Sequence, residues 1–282
     1  MKKILSAIAA LIIVGSTALN AAEETLVLDG STTVGPIAKA FAEYYMSVYP
    51  EVNITVSESG SGNGAKSLIN GDCQVANMSR FMKDKEFLAA AEKGLMPVAH
   101  VVAMDGLAVV INPANSVKAI TIEQLRDIYT GKITNWKDLG GPDAAIVVVS
   151  RDTNSGTYET FYNLVMTHKI DGEKTKEKIK DGAESVGSNG AVRQRVASTQ
   201  AAIGYVGLGY VDRSVKAIPV DGIMPEKATI ASGRYPIARP LFMFTNGYPK
   251  LGSHEFRFVT IYLSKKGQEI IEDIGFIPMT NY

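Results

Sequence analysis

The residues of this chain best placed to do chemistry are hydrogen-bond donors rather than nucleophiles. Residues 150–157 read Ser-Arg-Asp-Thr-Asn-Ser-Gly-Thr, and an apolar-periodic helix follows at once. Arg151 thus precedes a Ser155-Gly156-Thr157 triplet that opens a helix. A helix start leaves backbone N–H groups unpaired and carries the positive end of the dipole, which suits it to anions. Two hydroxyls and a guanidinium fork add donors of the kind that hold a tetrahedral oxyanion. Two other loops share the design: Gly30-Ser31-Thr32-Thr33, and Ser59-Gly60-Ser61-Gly62 with Arg80 shortly after it. Each also has an ordinary reading, because Ser and Thr are common N-caps and glycines are common in turns. Three in one chain, with two arginines beside them, point to a shared anion.

Metal chemistry and nucleophilic catalysis have no such support. His100, His168 and His254 are far apart and fall in no metal-binding spacing, so they read as structural or surface residues. Ser155 lacks the Gly-x-Ser-x-Gly elbow of an activated serine, and no Ser-His-Asp context can be assembled around it. Cys73 is the only cysteine, which excludes an intramolecular disulfide and fits a small core residue.

The elements that must position these loops alternate between strand and helix. A short apolar strand, 26–28, leads into the first loop, and a helix over 35–48 carries Ile37, Phe41, Tyr44, Tyr45 and Val48 on one face. A strand over 52–56 precedes the second loop, and a buried strand over 146–149 precedes the Arg151 segment. Thr121 and Gln124 form a capping box for a helix over 122–129. Residues 98–110 read as extended chain interrupted at Asp105-Gly106, and 174–180 as a solvated surface helix. A Gly-interrupted strand and turn, 202–210, and a late strand, 241–245, precede terminal helical segments over 256–263 and 268–274. The order argues an α/β fold, with the three loops at strand C-terminal ends, where open α/β sheets place ligands.

The N-terminus shows the charged, apolar, small order of a secretory signal peptide: Lys2-Lys3, then Ile4 to Val14, then Gly15 to Ala18. The apolar run is short for a bilayer span. Removal of residues 1–22, with cleavage between Ala18 and Ala22, leaves about 260 residues, enough for two lobes. The 29 basic and 29 acidic residues balance, and losing Lys2 and Lys3 leaves a net charge of about −2. Such a chain has no global attraction for nucleic acid or an anionic membrane.

Taken together, these motifs resemble the phosphate-binding protein of the bacterial high-affinity phosphate ABC importer, over essentially the whole mature chain. The landmarks are Asp29 to Thr33, Gly71 to Arg80 (GDCQVANMSR), Gly131 to Gly141 (GKITNWKDLGG) and Arg151 to Thr157. They continue with Ser188 to Val192, Ala202 to Tyr210, Tyr235 to Leu241 (YPIARPL) and Leu263 to Pro278. The resemblance implies a two-lobed periplasmic-binding-protein fold of type II, closing on its ligand. It implies a first lobe from 23–103 and 237–282, and a second from 104–236. By position in the motifs, Thr32, Thr33 and Ser61 are the expected first-lobe contacts to phosphate, and Arg151, Ser155, Gly156 and Thr157 the second-lobe contacts. Arg80 stands where some members carry an aspartate that accepts the ligand's proton; here it is expected to help neutralise the anion. The acceptor then falls to Asp29, Glu58 or Asp152. Trp136 is expected to pack beneath 131–141 rather than stack on a ligand.

The implied protein is a periplasmic monomer that captures inorganic phosphate and delivers it to ABC permease subunits. It is not an enzyme, and it has no metal or cofactor and no nucleic-acid partner. The alternatives are another tetrahedral oxyanion, such as sulfate or molybdate, or an exported phosphatase.

Overall fold

The computed structural model describes residues 24–279; the leader assigned to 1–22 lies outside them. In the first third of the chain, β1 (Glu24–Gly30), α1 (Gly35–Val48), β2 (Val52–Val56), α2 (Ser61–Asn70), β3 (Val75–Met78) and α3 (Asp84–Glu92) alternate. The long strand β4 (Pro97–Ile111) leads to α4 (Ile122–Thr130), β5 (Val147–Arg151) and α5 (Gly156–Phe161). A hairpin follows, β6 (Thr167–Ile170) and β7 (Glu173–Lys176), and then β8 (Glu184–Val186), α6 (Asn189–Ser198) and β9 (Ala202–Gly207). The chain ends through β10 (Lys216–Ala217), α7 (Lys227–Ala231), β11 (Ala238–Asn246), α8 (His254–Val259) and α9 (Lys265–Asp273).

One mixed sheet runs through the molecule in the order β2-β1-β3-β11-β4-β9-β5-β8. Its apolar faces are buried in two principal cores. One gathers Leu28, Ile37, Phe41, Val102, Leu241, Phe258 and Phe276, from β1, α1, the start of β4, β11 and the C-terminal segment. The other gathers Leu107, Ile111, Ile128, Trp136, Phe161, Tyr205 and Tyr235, and includes Ile237 and Ile277. β4 belongs to both: residues up to Gly106 pair with β11, and Leu107 onward pairs with β9. The Asp105-Gly106 break expected from the sequence is therefore a change of partner inside a continuous strand. Gly106 leaves room there for Ile230, whose Cδ1 would lie 2.4 Å from an added Cβ.

Residues 173–176 are strand β7, where a surface helix was expected. Asp171 and Gly172 both have positive φ, 52° and 87°, and form the two-residue turn joining Ile170 to Glu173. That Asp-Gly turn matches the twist of paired strands and overrides the helical spacing of the charges. Trp136 is fully buried and donates from its indole nitrogen to the Ala201 carbonyl at 2.8 Å. Burial pushes the Cys73 thiol up to about 12, so it stays protonated and inert.

Candidate anion-binding site

Three strand-to-helix junctions meet where the two halves of the molecule face each other. At the first, Gly30 adopts φ 131°, and a side chain there would strike the Asn77 carbonyl. The turn lets Ser31 Oγ accept from the Thr33 and Val34 N–H groups at 3.1 and 3.3 Å, bracing the turn that leads into α1. At the second, Gly60 has φ 101° and donates to the Gly30 carbonyl at 2.7 Å, which aims the start of α2 at the same point. At the third, Ser155 Oγ caps α5 by accepting from Thr157 and Tyr158 N–H at 3.1 and 3.2 Å. A cap that accepts two bonds has filled both lone pairs, so its hydroxyl proton is left for a ligand.

A small, tightly closed cavity lies between them. Ser31, Thr32, Gly60, Ser61 and Ser79 line it from one half, and Arg151, Ser155, Gly156 and Thr157 from the other. No carboxylate and no apolar side chain is in the lining. Arg151 is anchored by Nε on the Val186 carbonyl at 3.1 Å and by Nη2 on the Gly187 carbonyl at 2.8 Å. Its Nη1 is buried and has no hydrogen-bond partner among the described residues. A buried guanidinium nitrogen left unpaired is costly, and the deficit is relieved by an anion in the cavity.

The halves are drawn together around this point. Gly62 N–H donates to the Asn154 carbonyl at 2.9 Å, and Lys83 pairs with Glu159 at 2.6 Å. Gly156 is packed so closely that a Cβ would lie 2.5 Å from both Ser61 Oγ and Ser79 Oγ. Behind the cavity, Thr33 Oγ1 lies 2.9 Å from Thr157 Oγ1, and Asn189 Nδ2 donates to Thr32 and Thr33 Oγ1 at 3.1 and 2.9 Å. Arg239, from β11, donates through Nη2 to Thr33 and Thr157 Oγ1 at 3.2 and 3.0 Å. The same guanidinium holds Asp105 Oδ2 of β4 at 2.9 Å. Burial pushes the Asp105 carboxyl up and the Arg239 guanidinium down, and their mutual bonds oppose both shifts.

Of the residues expected to contact the anion, Thr32, Ser61, Arg151, Ser155, Gly156 and Thr157 line one cavity. Thr33 is outside the lining, with its hydroxyl committed to Thr157, Asn189 and Arg239. Arg80 is also outside it: the guanidinium grips Glu86 with two bonds of 2.8 and 2.7 Å and borders a separate surface pocket with Lys66 and Lys85. Ser79 and Arg80 are consecutive in the bend that follows β3, and it is Ser79 that lines the cavity. The carboxylates considered as proton acceptors are outside the lining. Asp29 accepts from Ser59 and Ser67, Glu58 pairs with Lys39, and Asp152 accepts from the Asn154 N–H and lies 4.0 Å from Arg151 Nη2.

Ser31, Ser79, Asn189, Arg239 and Asp105 were not singled out from the sequence. The first four fall inside the motifs quoted above, but a hydroxyl or an arginine within a motif carries no sign of its direction. Among the described residues, no group of three His, Cys, Asp or Glu side chains is arranged to hold a metal, and no helix is long and apolar enough to cross a membrane.

A family model described as a PBP superfamily domain matches residues 15–257. The phosphate-binding protein PstS of Bacillus subtilis is 36% identical over 263 residues, covering 92% of this chain and 82% of the relative. This chain belongs to the PBP superfamily, among its phosphate-binding proteins. The PstS of Borreliella burgdorferi is 32% identical, with 90% of each chain covered. Among solved structures, a putative phosphate ABC transporter substrate-binding protein from Clostridium perfringens, with bound phosphate, superposes with a TM-score of 0.80. It is 34% identical and covers 91% of this chain and 100% of its own. An ABC-type phosphate transport receptor from Vibrio cholerae gives a TM-score of 0.68 at 32% identity, covering 89% of this chain and 99% of its own. The fold is the two-lobed one of these binding proteins, and β4 contributes to both principal cores.

Proposed function

We propose that this protein captures inorganic phosphate in the cavity between its lobes and delivers it to the membrane permease of an ABC importer. The observation that carries this reading is the cavity lining: hydroxyls, helix-start N–H groups and the unpartnered Arg151 Nη1, with no carboxylate among them. The phosphate bound in the Clostridium perfringens relative supports the choice of anion. The contact set under this reading is Thr32, Ser61, Arg151, Ser155, Gly156 and Thr157, joined by Ser31. Thr33 then acts by positioning Thr157, and Arg80 by holding the β3 end that carries Ser79.

The lobe division that goes with it is 23–103 with 237–282 against 104–236, supported by the two cores and by the change of partner in β4. Contacts from both lobes exist together only when the lobes are closed, so the ligand favours the closed form by its differential affinity. The order of residues 1–22 supports export of the mature chain to the periplasm, where this reading has it act as a monomer.

The same geometry supports binding without turnover. Ser155 Oγ accepts from two backbone N–H groups, and among the described residues no His or carboxylate bonds to it to serve as a base. A hydrolase would release phosphate from a generic ester, and this protein should not. Calorimetric titration with phosphate, sulfate, arsenate and molybdate tests the anion. Arg151→Ala should weaken phosphate binding at least about tenfold, since a charge-assisted bond is worth roughly 1.5–3 kcal/mol. Unchanged binding by this variant would remove the central assignment.

A further inference from the structure

Phosphate near neutral pH keeps a proton that sulfate lacks, so a site that prefers phosphate needs an acceptor for it. The carboxylates nearest in sequence have partners of their own, Asp152 facing Arg151, and none lines the cavity. The acceptor must therefore come from the lining itself, and the lone pairs of its hydroxyls can be counted. Ser31 and Ser155 each accept two backbone N–H bonds and have none left. Thr33 Oγ1 receives Asn189 and Arg239, which turns its proton toward Thr157. Thr157 Oγ1 is turned to Arg239 and the Thr33 hydroxyl behind the cavity. Thr32 Oγ1 accepts from Asn189 and keeps one lone pair.

Ser79 differs from all of these. Ser61 Oγ accepts the Ser79 N–H at 3.1 Å and shares a further bond with Ser79 Oγ at 3.3 Å. Among the described residues, no backbone N–H is bonded to Ser79 Oγ. If Ser79 donates to Ser61, both Ser79 lone pairs are open, Ser61 is saturated, and the Ser61 proton turns inward. Both hydroxyls lie against Gly156, at the point where the lobes meet.

We propose that Ser79 is the specificity-determining residue: its hydroxyl accepts the proton of bound phosphate and passes a hydrogen bond through Ser61 back to the ligand. The ring runs from the phosphate P–OH to Ser79, from Ser79 to Ser61, and from Ser61 to an oxyanion of the same phosphate. No proton changes owner. The inference rests on the phosphate reading above. Only a ligand holding both a proton and a charged oxygen completes the ring; sulfate leaves the Ser79 lone pairs against an aprotic oxygen. A neutral hydroxyl penalises that mismatch less than a buried carboxylate does, so the preference should be on the order of tenfold to a hundredfold.

The test is competition calorimetry with inorganic phosphate, arsenate and sulfate on the mature chain, its Ser79→Ala, Ser79→Thr and Thr32→Val variants, each first checked by thermal melting. Ser79→Ala should lose about tenfold in phosphate and arsenate affinity and hold its sulfate affinity. Ser79→Thr, which keeps the hydroxyl, should retain the preference. Equal losses for all three anions in Ser79→Ala, or a preference lost in Thr32→Val and kept in Ser79→Ala, would overturn the proposal while leaving phosphate capture intact. If Ser79→Ala does not fold, loss of the preference in a folded Ser79→Thr would overturn it and retention would support it. Failure of the unaltered protein to bind phosphate or arsenate would instead remove the functional reading itself.

Discussion

The hydroxyls of Thr33 and Thr157 lie 2.9 Å apart although 124 residues separate them in the chain. They come from opposite lobes and share a single donor, Arg239 Nη2. Arg239 also donates through Nη1 to the Ser79 carbonyl at 3.1 Å. The closed arrangement is thus organised from behind the cavity by a cation that the cavity does not contain. Asp105 opposes that cation from the neighbouring strand, in direct register across the β4–β11 pair.

Breaking this pair should be expensive. Asp105 and Arg239 are 0% and 4% exposed, and removing one partner strands the other charge in a dry site. Arg239→Met alone should cost about 3–5 kcal/mol in urea unfolding. The double variant Asp105→Leu with Arg239→Met should be less destabilised than the two single losses added together, by roughly 0.5–3 kcal/mol. Additive losses would mean that the two residues act independently.

Gly156 should control closure. An added methyl would meet the Ser61 and Ser79 oxygens, which come from the facing lobe. Gly156→Ala should therefore leave the melting temperature nearly unchanged and weaken phosphate binding by an order of magnitude or more, about 1.4 kcal/mol per decade. Small-angle scattering should show the unaltered protein contracting on phosphate addition and the variant contracting less. Equal contraction and equal affinity in both would rule out close packing at Gly156 as a condition of the closed state.

The Arg80–Glu86 clamp gives a pH dependence to stability. Burial alone would raise the Glu86 carboxyl, but the Arg80 bonds and the Lys83 N–H outweigh it and hold Glu86 below its ordinary value. The unfolded chain then takes up this proton more readily than the native one. The clamp's contribution is complete above the unfolded value, about 4.3, and is lost as pH falls through the lowered native value. Melting temperatures of the unaltered protein and Glu86→Gln should differ at pH 7 and converge as pH falls through the lowered native value of Glu86. A constant gap across that range would show that the charge of Glu86 is not what stabilises it.

Much of the cavity is legible in sequence because its parts are local. A strand ending in Gly, then Ser or Thr, then a helix predicts where N–H groups and hydroxyls will point, and Thr32, Ser61 and Ser155 fall where that pattern puts them. Arg151 is legible because it ends a strand beside such a helix. Arg80 and Thr33 mislead because each has a neighbour, Ser79 or Thr32, that takes the cavity-facing direction, and sequence spacing does not say which of two consecutive residues faces in. Arg239 and Asp105 are illegible for another reason. Each lies in an apolar strand with nothing local to mark it, and they meet only through a pairing of strands more than a hundred residues apart. The 173–176 hairpin shows the reverse case, where an Asp-Gly pair was the stronger local signal and the charge spacing was read instead.

The position of β11 has a consequence for how the molecule assembles. This strand, residues 238–246, sits between β3 and β4, so the first half of the sheet has a vacant lane until almost the whole chain is present. The second lobe, by contrast, is drawn almost entirely from one continuous stretch and closes over contacts nearer in sequence, which form sooner. A nascent or translocating chain therefore completes its C-terminal-side lobe before its N-terminal one. Arg239 arrives on the strand that fills the lane. The anion site is accordingly the last part of the protein to come into being, and a chain truncated before residue 238 should yield one folded lobe with an unpaired sheet edge beside it.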